Sequence, residues 1–287
     1  MTTIKENLVI DIAYPNVTAH WNPVTKKDEF IPPDWNVADL KLIKGVICKA
    51  SQGIYIEDTT FGHNWQELGR LKVPRGAYHF WEQSILQSSG KQAQYFVNVL
   101  SKYGGVKAGD KLVLDAETTG MSISALLDFV YNVERLTGVQ PENQWIYSTK
   151  SLLDNLSFKK LSPFQKIYIK RVPIWVAGYP NEPDKYPDPF KAGYIPDQSR
   201  YGKVVGWQYD SEVPNVGNIP GGVNVNWIDA DFLKKWQAET GVVIEPPITE
   251  DLRFTRWLAG SGLQPDPYGE KQNAARLAWF ASLQEKR

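Results

Sequence analysis

Short apolar runs alternate along the chain with stretches in which apolar residues recur every three or four positions. The runs "LVIDIA" (8–13), "GVICKAS" (45–51), "RGAYHFW" (75–81), "LVLDAE" (112–117), "QWIYST" (144–149), "PIWVAG" (173–178), "KVVGWQY" (203–209) and "GVNVNW" (222–227) read as eight strands. Between them, "TTFGHNWQELGRLKV" (59–73) sets Phe61, Trp65, Leu68 and Leu71 at helical spacing. "KQAQYFVNVLSKYGG" (91–105) does the same with Ala93, Phe96, Val97 and Leu100, and ends in glycines as a helix C-terminus should. "SISALLDFVYNVERLTG" (122–138) aligns Ile123, Leu126, Leu127 and Val130, with Gly138 as its stop. "DWNVADLKLI" (34–43) reads as a short helix, and 180–202, rich in Pro, Asp, Tyr and Gly, as a long loop.

Strands alternating with helices, eight times, predict an α/β chain closed into an irregular, TIM-like (β/α) barrel with parallel strands. That barrel spans 1–240. Residues 241–287 read as a proline-bearing linker, "VVIEPPITEDLRF", and a short helical C-terminal extension with patterns at 250–259 and 269–285. Forty residues fold poorly alone, which favours a helical piece packed on the barrel over an independent wall-binding module.

Parallel barrels carry their chemistry at the C-terminal ends of the strands. There the pattern gathers Asp11, Tyr78, His79, Asp115, Glu117, Tyr147, Trp175, Trp207 and Gln208. Asp115 and Glu117 are two apart, so they share a face of their strand. In one low-dielectric mouth, burial and mutual repulsion hold one of two carboxyls protonated while the other ionises. Glu117 is the better proton donor because its side chain is longer. As a bare motif, an acid, any residue and another acid recurs by chance, and a solvated pair opening a loop is its ordinary origin. Asp11 is a charge inside an apolar run and needs a partner or a polar mouth. His79 reads more readily as a hydrogen-bonded structural residue than as a base.

Composition narrows the chemistry. Thirty-two basic and thirty-two acidic residues cancel, leaving no electrostatic footprint for nucleic acid or an anionic membrane. The start, "MTTIKENLVI", has no export-signal pattern, and no run approaches a membrane span. The lone Cys48, in an apolar run, reads as a buried inert thiol. No HExxH, phosphate-cradling glycine loop or Gly-x-Ser-x-Gly elbow occurs, so the expectation is no metal and no cofactor. Eleven Trp, fourteen Tyr and eleven Phe exceed a core's needs and suggest rings left over for a ligand, sugars being natural candidates.

Taken in order, "VIDIA", "GVICKASQG", "DTTFGHNW", "VPRGAYHF", "LVLDAE", "IYST", "IWVAGY", "VGWQY" and "GGVNVNW" resemble the landmarks of the glycoside hydrolase family 25 lysozymes over about residues 8 to 237. The resemblance implies a retaining N-acetylmuramidase, cleaving the β-1,4 bond between N-acetylmuramic acid and N-acetylglucosamine of bacterial peptidoglycan. It makes Glu117 the proton donor and Asp115 the group that stabilises the cationic centre or orients the N-acetyl group, with Asp11 shaping the site. Strand-end placement makes Tyr78, Tyr147, Trp175 and Trp207 either barrel core or substrate contacts, and with Tyr179, Gln208 and Asn224 they form the expected substrate-binding set. Without an export signal, a phage-type lysin made in the cytoplasm and acting at the wall is expected.

Two departures stand out. The family's last strand usually reads Val-Asp-x-Asn, whereas this chain has Val223, Asn224, Val225 and Asn226, which removes a carboxylate and should lower the pKa of Glu117. "DIAYPN" stands where the family commonly has a serine–histidine–tryptophan-like turn. A catalytically weak glycan-binding or virion structural protein, or a chitin-directed hydrolase, are the alternatives.

Overall fold

The computed structural model describes residues 8–14, 18–22, 26–84, 87–186, 188–219 and 221–240, with the backbone alone at 18–22, 27–30 and 184. The expected helical extension over 241–287 lies outside the described residues. Among the described residues eleven strands form: β1 (Leu8–Ile12), β2 (Thr18–Asn22), β3 (Lys27–Ile31), β4 (Gly45–Gln52), β5 (Ile56–Glu57), β6 (Arg75–Phe80), β7 (Lys111–Asp115), β8 (Gln144–Thr149), β9 (Ile174–Ala177), β10 (Val204–Pro214) and β11 (Gly222–Ile228). Eight of them, in the order β1-β4-β6-β7-β8-β9-β10-β11, close on themselves through the β1–β11 and β1–β4 ladders. These are the eight strands foreseen from the apolar runs. β2 and β3 make a separate antiparallel hairpin that the pattern did not reveal.

The barrel is not the all-parallel one expected from the alternating pattern: it turns back at its last strand. β11 runs antiparallel to both β10 and β1. The connection between β10 and β11 is residues 215–221, too short for the dozen or more that a parallel crossover requires. The reversal brings the N-terminal end of β11, with Asn224, to the mouth beside Asp11, its register partner on β1.

Helices α1 (Phe61–Arg70), α2 (Ser89–Lys102) and α3 (Ile123–Thr137) cover the first half of the barrel with the faces the spacing predicts. α3 starts where the Ser122 side chain accepts the Ala125 N–H and stops at Gly138, whose φ of 75° suits glycine. The second half carries the shorter α4 (Lys150–Asn155), α5 (Pro163–Ile169) and α6 (Pro189–Ala192), and α7 (Ala230–Glu239) follows β11. Residues 34–43 form turns, not the expected helix. Asp34 accepts the Asn36 N–H at 2.9 Å and Asp39 the Lys41 N–H at 3.0 Å, and such local bonds compete with helix formation.

Two apolar layers result, one between barrel and helices and one inside the barrel. The inner layer stacks Val9, Ile47, Val113, Trp145 and Trp175, and α7 closes it below with Leu233 and Trp236. Trp236 meets Trp145 edge to face, ring centroids 5.4 Å apart. The barrel is therefore plugged at its floor by α7. Cys48 is buried in the outer layer, where burial pushes its thiol well up and leaves it inert. Among the described residues, no helix is long and apolar enough to cross a membrane.

Candidate active site

Alternation along the strands carries the inner layer upward into polar chemistry. Above Val9 on β1 stands Asp11; above Val113 on β7 stands Asp115; above Trp145 on β8 stands Tyr147. Glu117 lies two residues past the end of β7 and is half-buried, while Asp115 is buried. The backbone N–H of Glu117 bonds to the Asp115 carboxylate, so the two acids of the "DAE" segment lie side by side.

Asp11 is the hub of a buried amide network. Its Oδ1 accepts from Asn224 Nδ2 at 2.9 Å, and its Oδ2 from Gln208 Nε2 at 2.7 Å and Asn226 Nδ2 at 2.8 Å. Each amide is oriented from behind by a donor. Trp175 Nε1–H, which can only donate, bonds Asn226 Oδ1 at 2.9 Å; the Glu212 N–H bonds Asn224 Oδ1 at 3.3 Å; the Tyr147 hydroxyl bonds Gln208 Oε1 at 2.7 Å, joined there by the Tyr179 hydroxyl. Each amide therefore turns its NH2 toward Asp11, an arrangement that favours an ionised carboxylate. Burial lifts the Asp11 carboxyl above the ordinary range, and the three amide donors hold that rise back.

The acids of β7 feel this charge. Burial, then the charge of Asp11, raises the Glu117 carboxyl, and both influences favour its protonated form. Burial pushes Asp115 well up, reinforced by the charges of Glu117 and Asp11, while Lys49 and the Glu117 N–H pull the other way. Asp115 Oδ1 is buried without a hydrogen-bond partner. A buried acceptor left bare among these acids is suited to a donor brought by a ligand. Among the described residues, no group of three or more His, Cys, Asp or Glu side chains is arranged to hold a metal ion.

The structure brings together Asp11, Asp115, Glu117, Tyr78, Tyr147, Tyr179, Gln208 and Asn224, but not the whole expected set. Trp207 faces away from the mouth: it is fully buried in the outer layer, stacks on Tyr194 and donates its indole N–H to the Gly178 carbonyl at 2.8 Å. Its neighbour Gln208 points in, so strand alternation puts Trp207 out. Trp175 points in but lies beneath Tyr147, ring centroids 4.4 Å apart, with its N–H spent on Asn226, so it supports the floor of the site. His79 likewise faces the helices, bonded to Ser51 at 2.8 Å and Gln92 at 3.2 Å, and burial pulls it down to about 3, leaving it neutral. Asn224 meets Asp11, so its effect on Glu117 runs through Asp11. The "DIAYPN" departure is described only to Tyr14.

Two residues of the site escaped the sequence reading. Asn226 shares the "NVN" alternation with Asn224, a signal that both face one way. Lys49, in the "ICKA" strand, is an internal charge of the same kind as Asp11; its ammonium donates to Gln52 Oε1 at 2.8 Å and lies 5.4 Å from the Phe80 ring centroid. The surplus of rings also resolves: Trp35, Trp65, Trp145, Trp175, Trp207 and Trp236 are all core, while among the described residues the exposed rings belong to Tyr14, Tyr55, Tyr179 and Phe190.

The model of one family, glycosyl hydrolases family 25, matches residues 24–218. Solved structures with this fold include a muramidase from Acremonium alcalophilum, 22% identical, covering 80% of this chain and 98% of its own at a TM-score of 0.52. The catalytic domain of endolysin ply40 from bacteriophage P40 of Listeria monocytogenes is 21% identical over 80% of this chain and 96% of its own, with a TM-score of 0.55. The modular autolysin LytC from Streptococcus pneumoniae, solved in complex with a synthetic peptidoglycan ligand, is 22% identical over 77% of this chain and 46% of its own, with a TM-score of 0.52. Among curated protein sequences, none matches the chain.

Proposed function

The chain belongs to family 25 of the glycosyl hydrolases, and from that premise we propose that it is a retaining muramidase, cleaving the β-1,4 bond between N-acetylmuramic acid and N-acetylglucosamine in bacterial peptidoglycan. The observation that carries the reading is the pairing of Asp115 and Glu117 at the C-terminal ends of the barrel strands, both raised by burial and both within reach of the Asp11 carboxyl. Glycoside hydrolysis needs an acid for the leaving oxygen and a carboxylate for the developing positive charge. Glu117 takes the first role and Asp115 the second.

Burial favours the protonated form of both carboxyls. A substrate acetamide N–H reaching the bare Oδ1 of Asp115 favours its anion and leaves the proton to Glu117, where Asp11 favours it. Substrate binding thus arms the acid. Cleavage puts the proton on the departing sugar oxygen while a new bond forms at the anomeric carbon from the opposite face, to the acetamide oxygen or to Asp115; water then displaces that bond and returns a proton to Glu117. Tyr78 and Tyr179 offer rings at the mouth, and Gln208, Asn224 and Tyr147 keep Asp11 in place. The endolysin and muramidase names of the structural relatives, and the peptidoglycan ligand of LytC, support a wall glycan as substrate and a site of action at the wall.

The test is mass analysis of purified peptidoglycan digested with wild type and with Glu117→Gln. Fragments ending in reducing N-acetylmuramic acid from the wild type alone are expected. Equal release by both proteins leaves a glycan-binding protein without chemistry, and preferential turnover of chitin oligomers redirects the specificity.

A further inference from the structure

Tyr55 lies in the turn between β4 and β5, at the same rim as the acids, and is 60% exposed. Large aromatic side chains left this open are usually free to swing, but this one is anchored. Its hydroxyl donates to Glu82 Oε2 at 2.7 Å and also bonds the Gln87 side chain. Glu82 Oε1 accepts from Gln52 Nε2 at 2.8 Å, and Gln52 Oε1 accepts from Lys49, whose charge acts on Asp115. A chain of hydrogen bonds therefore runs from Lys49 through Gln52 and Glu82 to the exposed ring. Gly53, at φ +56°, makes the packing possible: a Cβ there would stand 2.6 Å from Glu82 Oε2 and 2.8 Å from Gln87 Oε1. That same Gln87 oxygen is buried and has no hydrogen-bond partner.

Position gives the ring a purpose. β4 lies two strands from β7 on one side, and β9, which leads to Tyr179, lies two strands away on the other. Each offset is roughly 10 Å at ordinary strand spacing. Tyr179 is 51% exposed and its hydroxyl is also fixed, on Gln208. Two anchored tyrosines thus flank the acids on opposite sides of the mouth, an arrangement for a linear polymer lying across it. A preset ring loses little freedom on binding, and the carboxylate and amides beneath it suit hydroxyl or acetamide groups.

We infer that Tyr55, with Glu82 and Gln52, forms a distal glycan subsite that holds a sugar ring of the polymer away from the bond to be cleaved. The inference rests on the glycan-hydrolase reading and adds a preference for long strands. Its test is calorimetric titration of the full chain carrying Glu117→Gln with muramyl glycan disaccharide, tetrasaccharide and octasaccharide. Adding Tyr55→Ala is expected to weaken octasaccharide binding about tenfold, the scale of one well-placed ring, and disaccharide binding by less than about twofold. Tyr55→Phe, which keeps the ring but loses its anchor, should fall between. Unchanged affinity at every length, an equal loss at every length, or no binding of any oligomer overturns the subsite. A wild-type chain that releases no reducing ends, while the length-dependent loss persists, sinks the hydrolase reading and keeps the subsite.

Discussion

The two ends of this barrel treat buried charge in opposite ways. At the floor, Arg75 donates Nε and Nη2 to the two oxygens of Asp110, each at 2.9 Å, with its guanidinium 3.6 Å from the Trp65 ring centroid. Lys111, also buried, reaches Asn143 at 2.6 Å and Glu239 at 3.2 Å. At the mouth, by contrast, Asp11, Asp115 and Glu117 share one space with Lys49. Charges at the floor find opposites and hold strands and α7 together. Those at the mouth find their own kind: burial, and after it one another's charge, raises the carboxyls, which opposes folding at neutral pH, while at the floor Arg75 holds back the rise that burial causes in Asp110. Stability and chemistry are separated along the barrel axis, one end supporting the strain of the other.

Removing one half of a floor pair should have the largest effect. Arg75→Met leaves Asp110 buried and unpaired, and should lower unfolding free energy by about 3–5 kcal/mol, read by urea denaturation. A change below about 1 kcal/mol would erase the contrast between the two ends. At the mouth, Glu117→Gln should lose at least about a hundredfold in turnover, the lower range for general acid catalysis, and melt no lower than wild type near pH 7.

Asp115→Asn probes the destabilising side. Its folded pKa is raised above the unfolded value, so its contribution to stability is fully present at low pH and is lost as pH rises toward that raised value. The asparagine variant should therefore melt higher than wild type near pH 7, by roughly 2–4 °C for each kcal/mol relieved, and match it near pH 3. An equal gain at both pH values would trace the effect to packing. The smallest expected change is from Asn224→Asp, which sets a second carboxylate at hydrogen-bond distance from Asp11. The new pair should hold a proton to higher pH and move the acid limb of the pH–rate profile up by roughly one unit. A limb that stays in place would separate residue 224 from the reaction.

The sequence made the frame legible for a physical reason. Strands covered on both faces must be apolar throughout, so "LVI", "GVIC", "LVL" and "IWVA" announce themselves. Asp11, Asp115 and Glu117 were visible as charges at the ends of such runs. Trp207 misled because a tryptophan at a strand end serves either face equally well in composition, and only the parity set by Gln208 decides. Reversal of β11 was implicit in its short connection. The amide cage was not legible at all: Asn224 and Asn226 meet Asp11 only through a ladder joining the first strand to the last, across more than 200 positions. Tyr55 was hidden likewise, since its anchor Glu82 comes from the next barrel strand's loop.

The backward course of β11 also decides which way the molecule faces its surroundings. Because α7 crosses under the barrel, Thr240 is at the floor, against Gly109, where a Cβ would stand 2.8 Å from the Glu239 carbonyl carbon and the Thr240 nitrogen. A bead, a fluorophore or a fused module tethered just after Thr240 would hang from the underside and present the cleft outward. Immobilised that way, the protein would greet an approaching wall with its open face.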